Sequence, residues 1–195
     1  MRRARRRWPF VVALLIFTIA AVCTALDAYA QGPGGAAGRP RLIDLHFDRP
    51  GTVTNPETVD AFLERTRQAI DAGADIEAED EYGNTPLLNV VSWAGWSGSD
   101  WGANRIVALL LERGADPRRA HRLLYGMTPL HITAFSLWPN IELIEMLCAA
   151  GADSKTPVAS DGFGTPYEMS FRMDHPLPPG PRALVQSALE RCGKR

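Results

Sequence analysis

Histidine and cysteine are the residues of this chain that could most readily perform acid–base, nucleophilic or metal chemistry. The four histidines, His46, His121, His131 and His175, are scattered, and no HExxH or CxxC spacing accompanies them. This distribution predicts neither a zinc site nor a catalytic pair. We therefore expect no catalytic residue, no metal ligand and no cofactor, and we predict that the chain is not an enzyme.

Two cysteines, Cys148 and Cys192, lie beyond the N-terminal segment. Cys148 belongs to an apolar stretch and is expected to be a small buried side chain, and Cys192 ends the last predicted helix. A bridge would have to join neighbouring helices that stand about 8–10 Å apart. That separation exceeds the reach of about 7 Å between the Cα atoms of a disulfide, so we expect no bridge.

The tryptophans are the next side chains whose type suggests a function, because a large rigid indole with one N–H donor is typical of binding sites. Four of the five lie in or beside two predicted turns. We predict that Trp96, Trp101 and Trp138 contact a protein partner. The alternative is packing, with Trp93 and Trp138 closing the ends of their helices.

The same tryptophans could instead line a pocket for a small ligand or a substrate. A small-ligand protein or enzyme of that kind would need a carboxylate nearby, such as Asp100 or Asp174. The two hypotheses differ in one structural respect, which is whether the long turns converge into a closed cavity or lie open.

A second candidate binding segment is basic, although most of the chain is mildly acidic. Residues 116–122 read Asp-Pro-Arg-Arg-Ala-His-Arg. Arg118, Arg119 and Arg122 could meet an acidic surface of a protein partner and accelerate association. The alternative is that these arginines are simply solvated on a loop.

A threefold repeat predicts the elements that must position these side chains. Gly-Ala-Asp ends three leucine-rich stretches, beginning at Gly73, Gly114 and Gly151, and glycine is typical of helix ends. A Thr-Pro pair follows each copy 12 to 14 residues later, and proline suits the first position of a helix. The pairs are Thr85–Pro86, Thr128–Pro129 and Thr165–Pro166. The pattern predicts helical hairpins that bury their apolar faces only by stacking.

These motifs resemble ankyrin repeats, in particular the runs Tyr-Gly-Asn-Thr-Pro-Leu at 82–87 and Gly-Met-Thr-Pro-Leu-His at 126–131. The resemblance covers roughly residues 55–193. It implies an all-α ankyrin-repeat solenoid of stacked helix–turn–helix units with short hairpin-like loops, and a structural role for His131 in hydrogen-bonding the hairpin backbone. The implied units are an N-terminal capping unit 55–83, two units 84–125 and 126–163, and a C-terminal capping unit 164–193.

The chain departs from the ankyrin period of about 33 residues, because its Gly-Ala-Asp copies are 41 and 37 residues apart. The extra residues fall mostly between the two helices of a unit, at 95–102, 136–140 and 173–180. In the ankyrin layout these turns lie at the edge opposite the hairpin loops. We expect all three to project from one side of the stack.

The start of the repeat region is predicted from helix-capping signals. Asn55 is a favourable N-cap and Pro56 suits the first helical position, so the first helix is expected to run to about Ala72. Residues 42–54 precede it as an extended arm on the first repeat, within which Leu42 to Phe47 could form a short strand.

Residues 1–30 have the pattern of a secretory signal peptide. An arginine-rich start and an apolar run precede Ala-Tyr-Ala at 28–30, which predicts cleavage between Ala30 and Gln31. Residues 31–41 follow as a flexible linker rich in glycine and proline. The alternative is an uncleaved N-terminal helix that anchors the protein in a membrane, facing the periplasm.

Charge and composition exclude one class of partner. Residues 31–195 carry 16 basic and 21 acidic groups, a net charge of −5, which is not the footprint of a nucleic-acid-binding protein. We predict a monomeric, non-catalytic protein–protein interaction module in the periplasm or outside the cell. It would act as a scaffold, an inhibitor or a protective partner of another protein, and would touch a membrane only through an uncleaved N-terminal segment.

Overall fold

The computed structural model is helical, as the sequence predicts, and describes residues 40–44, 49–52, 55–97, 101–158, 164–172 and 177–192. Apart from Pro40, all of these belong to one unit, Arg41–Arg195. Several sequence predictions fall outside the described residues: the signal peptide 1–30 with its cleavage site at Ala30 and Gln31, linker residues 31–39, and His46, Asp100, Asp174 and His175.

The described residues form seven α-helices arranged in two rows. The bounds are α1 Val59–Asp71, α2 Pro86–Ser97, α3 Ala103–Glu112, α4 Pro129–Ala134, α5 Ile141–Ala149, α6 Pro166–Met169 and α7 Pro179–Cys192. In the first row α4 contacts both α2 and α6. In the second row α1 contacts α3, α3 contacts α5 and α5 contacts α7. The pairs α2–α3, α4–α5 and α6–α7 connect the two rows.

The apolar faces of these helices meet in one continuous core. Phe62 on α1 is fully buried, as are side chains from both rows of the other helices. The core cluster includes Phe62, Leu87, Val90, Ile106, Leu110, Leu130, Ile144, Leu147, Val185 and Leu189. Because each of these side chains fills space beside a neighbouring helix pair, removing one pair would expose the face of the next.

The Thr-Pro pairs begin the first helix of each pair. Proline is the first residue of α2, α4 and α6, where its missing N–H costs no helical hydrogen bond. The Thr85 hydroxyl accepts from the N–H of Leu88 at 3.3 Å. The Thr165 hydroxyl likewise accepts from the N–H of Glu168 at 3.1 Å, and the Glu168 carboxylate accepts from the N–H of Thr165 at 2.8 Å.

The Gly-Ala-Asp tripeptides end helices α1, α3 and α5. Gly73, Gly114 and Gly151 have φ of +89°, +91° and +103°, a region that glycine enters without a Cβ clash. The alanine that follows each glycine donates its N–H to the carbonyl five residues earlier. Each aspartate then accepts from the N–H two residues further on. The tripeptide is thus a complete helix-ending turn.

The first helix begins later than the capping signals predict. Thr58 is the N-cap of α1, and its hydroxyl accepts from the N–H of Ala61 at 3.2 Å. The predicted cap at Asn55 is wrong because the Asn55 side chain instead accepts from the N–H of Glu57 at 3.2 Å, in a turn that precedes the helix. The helix ends at Asp71, one residue before the predicted end.

The predicted strand near residue 42 is also wrong for the residues that the structure describes. Leu42–Asp44 form a 3₁₀ helix that contacts α1 and buries Leu42 and Ile43. The extended feature is limited to one parallel bridge between Arg41 and Asp75, in which the N–H of Leu42 donates to the Asp75 carbonyl at 3.0 Å. The segment therefore covers the first unit through two apolar side chains.

A disulfide joins Cys148 on α5 to Cys192 on α7, contrary to the prediction from helix spacing. The two Cα atoms are 5.1 Å apart. The prediction was wrong because it used the distance between helix axes. Cα atoms lie about 2.3 Å from their own axis, so residues on facing sides of adjacent helices come within disulfide reach. The bridge fastens the last helix to the preceding pair.

Candidate functional site

The connections between helices form two groups, which we call the loop edge and the turn edge. The loop edge consists of the first loop, 73–85, and the second loop, 114–128, which each connect one helix pair to the next. The turn edge consists of the turns that follow α2 and α4. There the backbone N–H of Trp138 donates to the carbonyl of Gly95 at 3.3 Å, which joins the turn after α4 to the last turn of α2.

Asp80 organises the backbone of the first loop. One of its carboxylate oxygens accepts from the N–H of Tyr82 at 2.9 Å and from the N–H of Asn84 at 2.8 Å. The Asn84 side-chain amide also donates to this carboxylate. Gly83, between these residues, has φ of +82°. The first loop therefore has a fixed backbone with Tyr82 at its tip.

His121 has the corresponding role in the second loop. Its imidazole is buried, and Nδ1 accepts from the N–H groups of Leu123 at 3.0 Å and Leu124 at 2.9 Å. Because Nδ1 accepts, Nε2 carries the proton and donates to Oδ1 of Asn84 at 2.9 Å. Burial lowers the pKa of His121. One neutral imidazole thus fixes the second loop and binds it to the first.

Two arginines of the predicted basic segment form ion pairs within the chain, although their side chains remain about half exposed. Glu79 of the first loop accepts from Arg119 at 3.0 Å and from Arg122 at 2.9 Å. Burial opposes ionisation of Glu79, but the hydrogen bonds from the two guanidinium groups outweigh it and lower the pKa of the carboxyl. Two of the three candidate arginines are therefore engaged by an acidic group of the neighbouring loop.

Two further contacts connect the loops to one another. Glu77 accepts from the N–H of Asp116 at 2.7 Å, and burial raises the pKa of Glu77 although this hydrogen bond opposes the rise. Arg118, the third candidate arginine, donates from Nε to the carbonyl of Gly151 at 2.6 Å. The second loop is consequently held on both sides, by the first loop and by the end of α5.

Large apolar side chains are exposed on this well-bonded loop edge. The exposed fractions are 65% for Tyr82, 56% for Leu123, 45% for Leu124 and 57% for Tyr125. The two loops touch, since a methyl group placed on Gly83 would lie 3.5 Å from Cγ of Leu123. We call Tyr82, Leu123, Leu124 and Tyr125 the apolar loop cluster.

Sequence reasoning missed this cluster although two signals pointed to it. The spacing from the Gly-Ala-Asp aspartate to the Thr-Pro threonine is 12 residues in the second loop and 10 in the first. The longer loop contains Leu-Leu-Tyr at 123–125, an apolar run with no helical period to bury it.

Of the three candidate tryptophans of the turn edge, the structure describes the side chains of Trp101 and Trp138, which differ in exposure. Trp101 is half-buried, with its ring centroid 6.0 Å from that of Trp93 and the Arg49 guanidinium 5.7 Å from its centroid. Trp138 is 56% exposed. Trp96 lies in α2, but its side chain is outside the described part. The turn edge thus packs one candidate and exposes another.

An open depression of about 730 Å³ lies beside Trp101. The carboxylates on its rim are already engaged: Glu57 accepts from Arg65 at 2.7 Å, and Glu142 accepts from the side chain of Asn104 at 2.8 Å. The described residues of the turn after α2, Trp101 and Gly102, border this open depression. The carboxylates suggested for a pocket, Asp100 and Asp174, are outside the described residues.

His131 has a helix-capping position rather than a place in a loop. It is fully buried in α4, and its Nδ1 accepts from the N–H of Thr128 at 3.1 Å and contacts the Thr128 hydroxyl at 2.8 Å. Burial lowers its pKa, although the carbonyl groups of Gly164 and Thr156 oppose the change. This histidine fixes the start of a helix and faces no solvent.

Within the described ranges, no group of three or more histidine, cysteine or acidic side chains could hold a metal ion. No described helix has the length and apolar composition needed to cross a bilayer. No protein-family model matches this chain, and no curated protein is similar to it.

Proposed function

We propose that this chain is an exported ankyrin-repeat protein that binds a different protein through the apolar loop cluster and catalyses no reaction. An ankyrin solenoid is supported by the repeated Gly-Ala-Asp and Thr-Pro motifs at helix ends and helix starts. It is also supported by the two rows in which each helix contacts its counterparts in neighbouring pairs. Stacks of this kind present extended surfaces to partners.

The observation that carries the proposal is the exposure of four large apolar side chains on two loops whose backbones are fixed. Exposed leucine and tyrosine side chains gain free energy when a partner removes them from water. Asp80 and His121 already hold the loop backbones, so little further ordering is needed on binding. A rigid scaffold and a preformed apolar surface favour binding over chemistry.

The partner that we propose is a different protein whose binding surface is apolar at its centre. The arginines beside the cluster share Glu79, so one carboxylate offsets part of their charge and the remainder can orient a partner. Scaffold, inhibitor and protective partner are all compatible with such a surface. A second copy of this chain is an outcome that the experiment below separates.

Export is supported by the disulfide as well as by the N-terminal pattern. A bridge between Cys148 and Cys192 persists in oxidising compartments such as the periplasm or the extracellular medium, and rarely in the cytosol. Membrane tethering through an uncleaved N-terminal helix is the alternative. N-terminal sequencing of the exported protein separates the two, since a chain that starts at Gln31 has no tether.

The binding test compares two exposed leucines of the apolar loop cluster with one exposed leucine elsewhere in the chain. The exported protein is used to capture partners from the exported fraction, beside Leu123→Ser/Leu124→Ser and the control Leu184→Ser, which alters an exposed leucine on α7. We expect the double variant to lose at least about tenfold in capture, since fully burying one leucine side chain contributes about 1.5 kcal/mol or more, and the control to lose nothing. Equal capture by all three would contradict the proposal, and so would a concentration-dependent dimer that the double variant abolishes.

A second candidate function, binding of a small ligand beside Trp101, is favoured by the open depression there. Quenching of tryptophan fluorescence by a small-molecule extract of the exported fraction, lost in Trp101→Phe, would support it. A Trp96→Ala/Trp101→Ala variant with unchanged protein capture would assign protein binding to the loop edge alone.

A further inference from the structure

We propose that His121 makes the binding surface acid-sensitive: protonation of its imidazole releases the tip of the second loop and disperses the apolar loop cluster. This inference rests on the proposed function, because it regulates the same surface. Asp80 and His121 each lie five residues after the aspartate of a Gly-Ala-Asp tripeptide, Asp75 and Asp116. Both residues hold the backbone of their loop, but a carboxylate and an imidazole differ in acid–base chemistry.

The equivalence of the two residues is visible in their hydrogen bonds. Asp80 accepts from the backbone two and four residues further on, at 2.9 Å and 2.8 Å. His121 accepts through Nδ1 from the backbone two and three residues further on, at 3.0 Å and 2.9 Å. A carboxylate keeps its acceptor capacity throughout the neutral range, whereas an imidazole loses it on taking up one proton.

Protonation would affect the second loop selectively. An imidazolium carries hydrogen on both nitrogens, so a hydrogen on Nδ1 would face the N–H groups of Leu123 and Leu124. Both hydrogen bonds would be lost and replaced by donor–donor repulsion. The bond from Nε2 to Asn84 would survive, because that nitrogen donates in either state. The loop would therefore open at the two leucines of the apolar loop cluster, while the first loop stayed in place.

The charged groups around the imidazole have opposing effects on the pKa of His121. Burial disfavours the charged ring, Asp80 and Glu79 favour it, and Arg122 disfavours it, with a net lowering of the pKa from its ordinary 6.5. Arg119 also contacts Glu79 and weakens the attraction that this carboxylate offers. The open loop, with its imidazole in water, keeps the higher pKa. The closed loop is therefore fully stable above pH 6.5 and loses stability as the pH falls below that value.

The first measurement follows the loop itself by amide hydrogen exchange on the full exported chain, titrated from about pH 7.5 to about pH 4.5, across the ordinary histidine pKa. We expect protection of the Leu123 and Leu124 amides, corrected for intrinsic exchange, to fall about tenfold, the worth of a lost hydrogen bond. The Tyr82 and Asn84 amides should keep their protection. Constant protection at the two leucines would overturn the inference.

Two variants distinguish His121 from the other buried histidine. His121→Asp installs the acceptor of the first loop, and His121→Asn installs an acceptor that does not titrate; His131 is retained in both. Leucine protection should become independent of pH in each variant. If either well-folded variant showed the same acid-induced loss as the unmodified protein, His131 or another group would be responsible and the inference would fail.

The second measurement is partner capture at both ends of the titration. We expect capture to fall about tenfold at low pH for the unmodified chain, in parallel with the loss of protection, and to be unaffected in His121→Asn. If the loop opened but capture did not change, acid control of binding would be refuted. If capture required Leu123 and Leu124 yet neither protection nor capture responded to pH, the proposed function would stand and this inference alone would fail.

Discussion

The turn edge and the loop edge differ in the aromatic side chains that they pack within the chain and those that they expose. At the turn edge, Trp101 packs beside Trp93 and Arg49. At the loop edge, Tyr82 is exposed while the neighbouring arginines are bound to Glu79. Residue type alone therefore does not identify a binding surface. What matters is whether the adjacent unit offers a partner to each side chain.

Packing at the turn edge predicts the largest effect on stability. A Cβ on Gly95 would lie 2.4 Å from the hydroxyl oxygen of Ser136 and 3.1 Å from its Cβ. Gly95→Val should therefore lower the free energy of unfolding by about 2–3 kcal/mol, the usual cost of overpacking. Urea unfolding provides the measurement.

Ala183 on α7 is the control, since its side chain is exposed. Ala183→Val should lower the urea midpoint only slightly, by the difference in helix propensity between the two residues. Equal midpoints for the two variants would show that the turns after α2 and α4 are loosely packed, and the contrast between the two edges would disappear.

The tryptophans of the turn edge predict the next largest effect. Trp101→Ala removes a half-buried ring that packs against Trp93, and should cost about 2 kcal/mol, less than the 3–5 kcal/mol of a fully buried tryptophan. Trp138→Ala alters a side chain that is 56% exposed and should cost about 0.5 kcal/mol or less. Thermal unfolding of both variants checks the order, and a larger loss in Trp138→Ala would reverse our assignment of packing.

The helix ends were the most predictable part of this fold. Thr-Pro and Gly-Ala-Asp act through local backbone chemistry, namely a proline at a position without a hydrogen bond and a glycine at positive φ. Such local rules predicted helix starts at Pro86, Pro129 and Pro166. The rule failed at Asn55, where a competing turn captures the side chain.

Contacts between units could not be predicted in the same way. The disulfide depends on which sides of α5 and α7 face each other, and the partners of Arg119 and Arg122 lie about forty residues earlier, at Glu79. One sequence carries no direct signal for pairs that distant in the chain. The apolar loop cluster is an intermediate case, because the Leu-Leu-Tyr run at 123–125 is visible in the sequence, whereas the packing of its loop beside the loop of Tyr82 is not.

The ion pairs of the loop edge predict a smaller effect with a defined pH dependence. Glu79→Gln should cost about 1 kcal/mol at neutral pH, the upper range for exposed pairs. The folded state lowers the pKa of Glu79 from 4.5, so its contribution is complete above that value and is lost as the pH falls below it. Unfolding free energies at several pH values measure this.

Glu81→Gln is the control for that series, since Glu81 is an exposed carboxylate of the same loop. The unmodified protein and the control should lose stability in parallel on acidification, whereas Glu79→Gln should lose less. If all three curves were parallel, the two guanidinium contacts would contribute nothing, and the arginines would be available to a partner after all.

The smallest effect on stability is expected at the apolar loop cluster, where the effect on binding should be large. Tyr82→Ser keeps the backbone N–H that donates to Asp80 and removes a ring that is 65% exposed, so the free energy of unfolding should change by about 0.5 kcal/mol or less. Partner capture should nevertheless fall, because a tyrosine anchor would be lost. The same substitution would destabilise the protein if the ring packed against the neighbouring loop. A loss of stability without a loss of capture would therefore make the loop edge resemble the turn edge and remove the distinction between them.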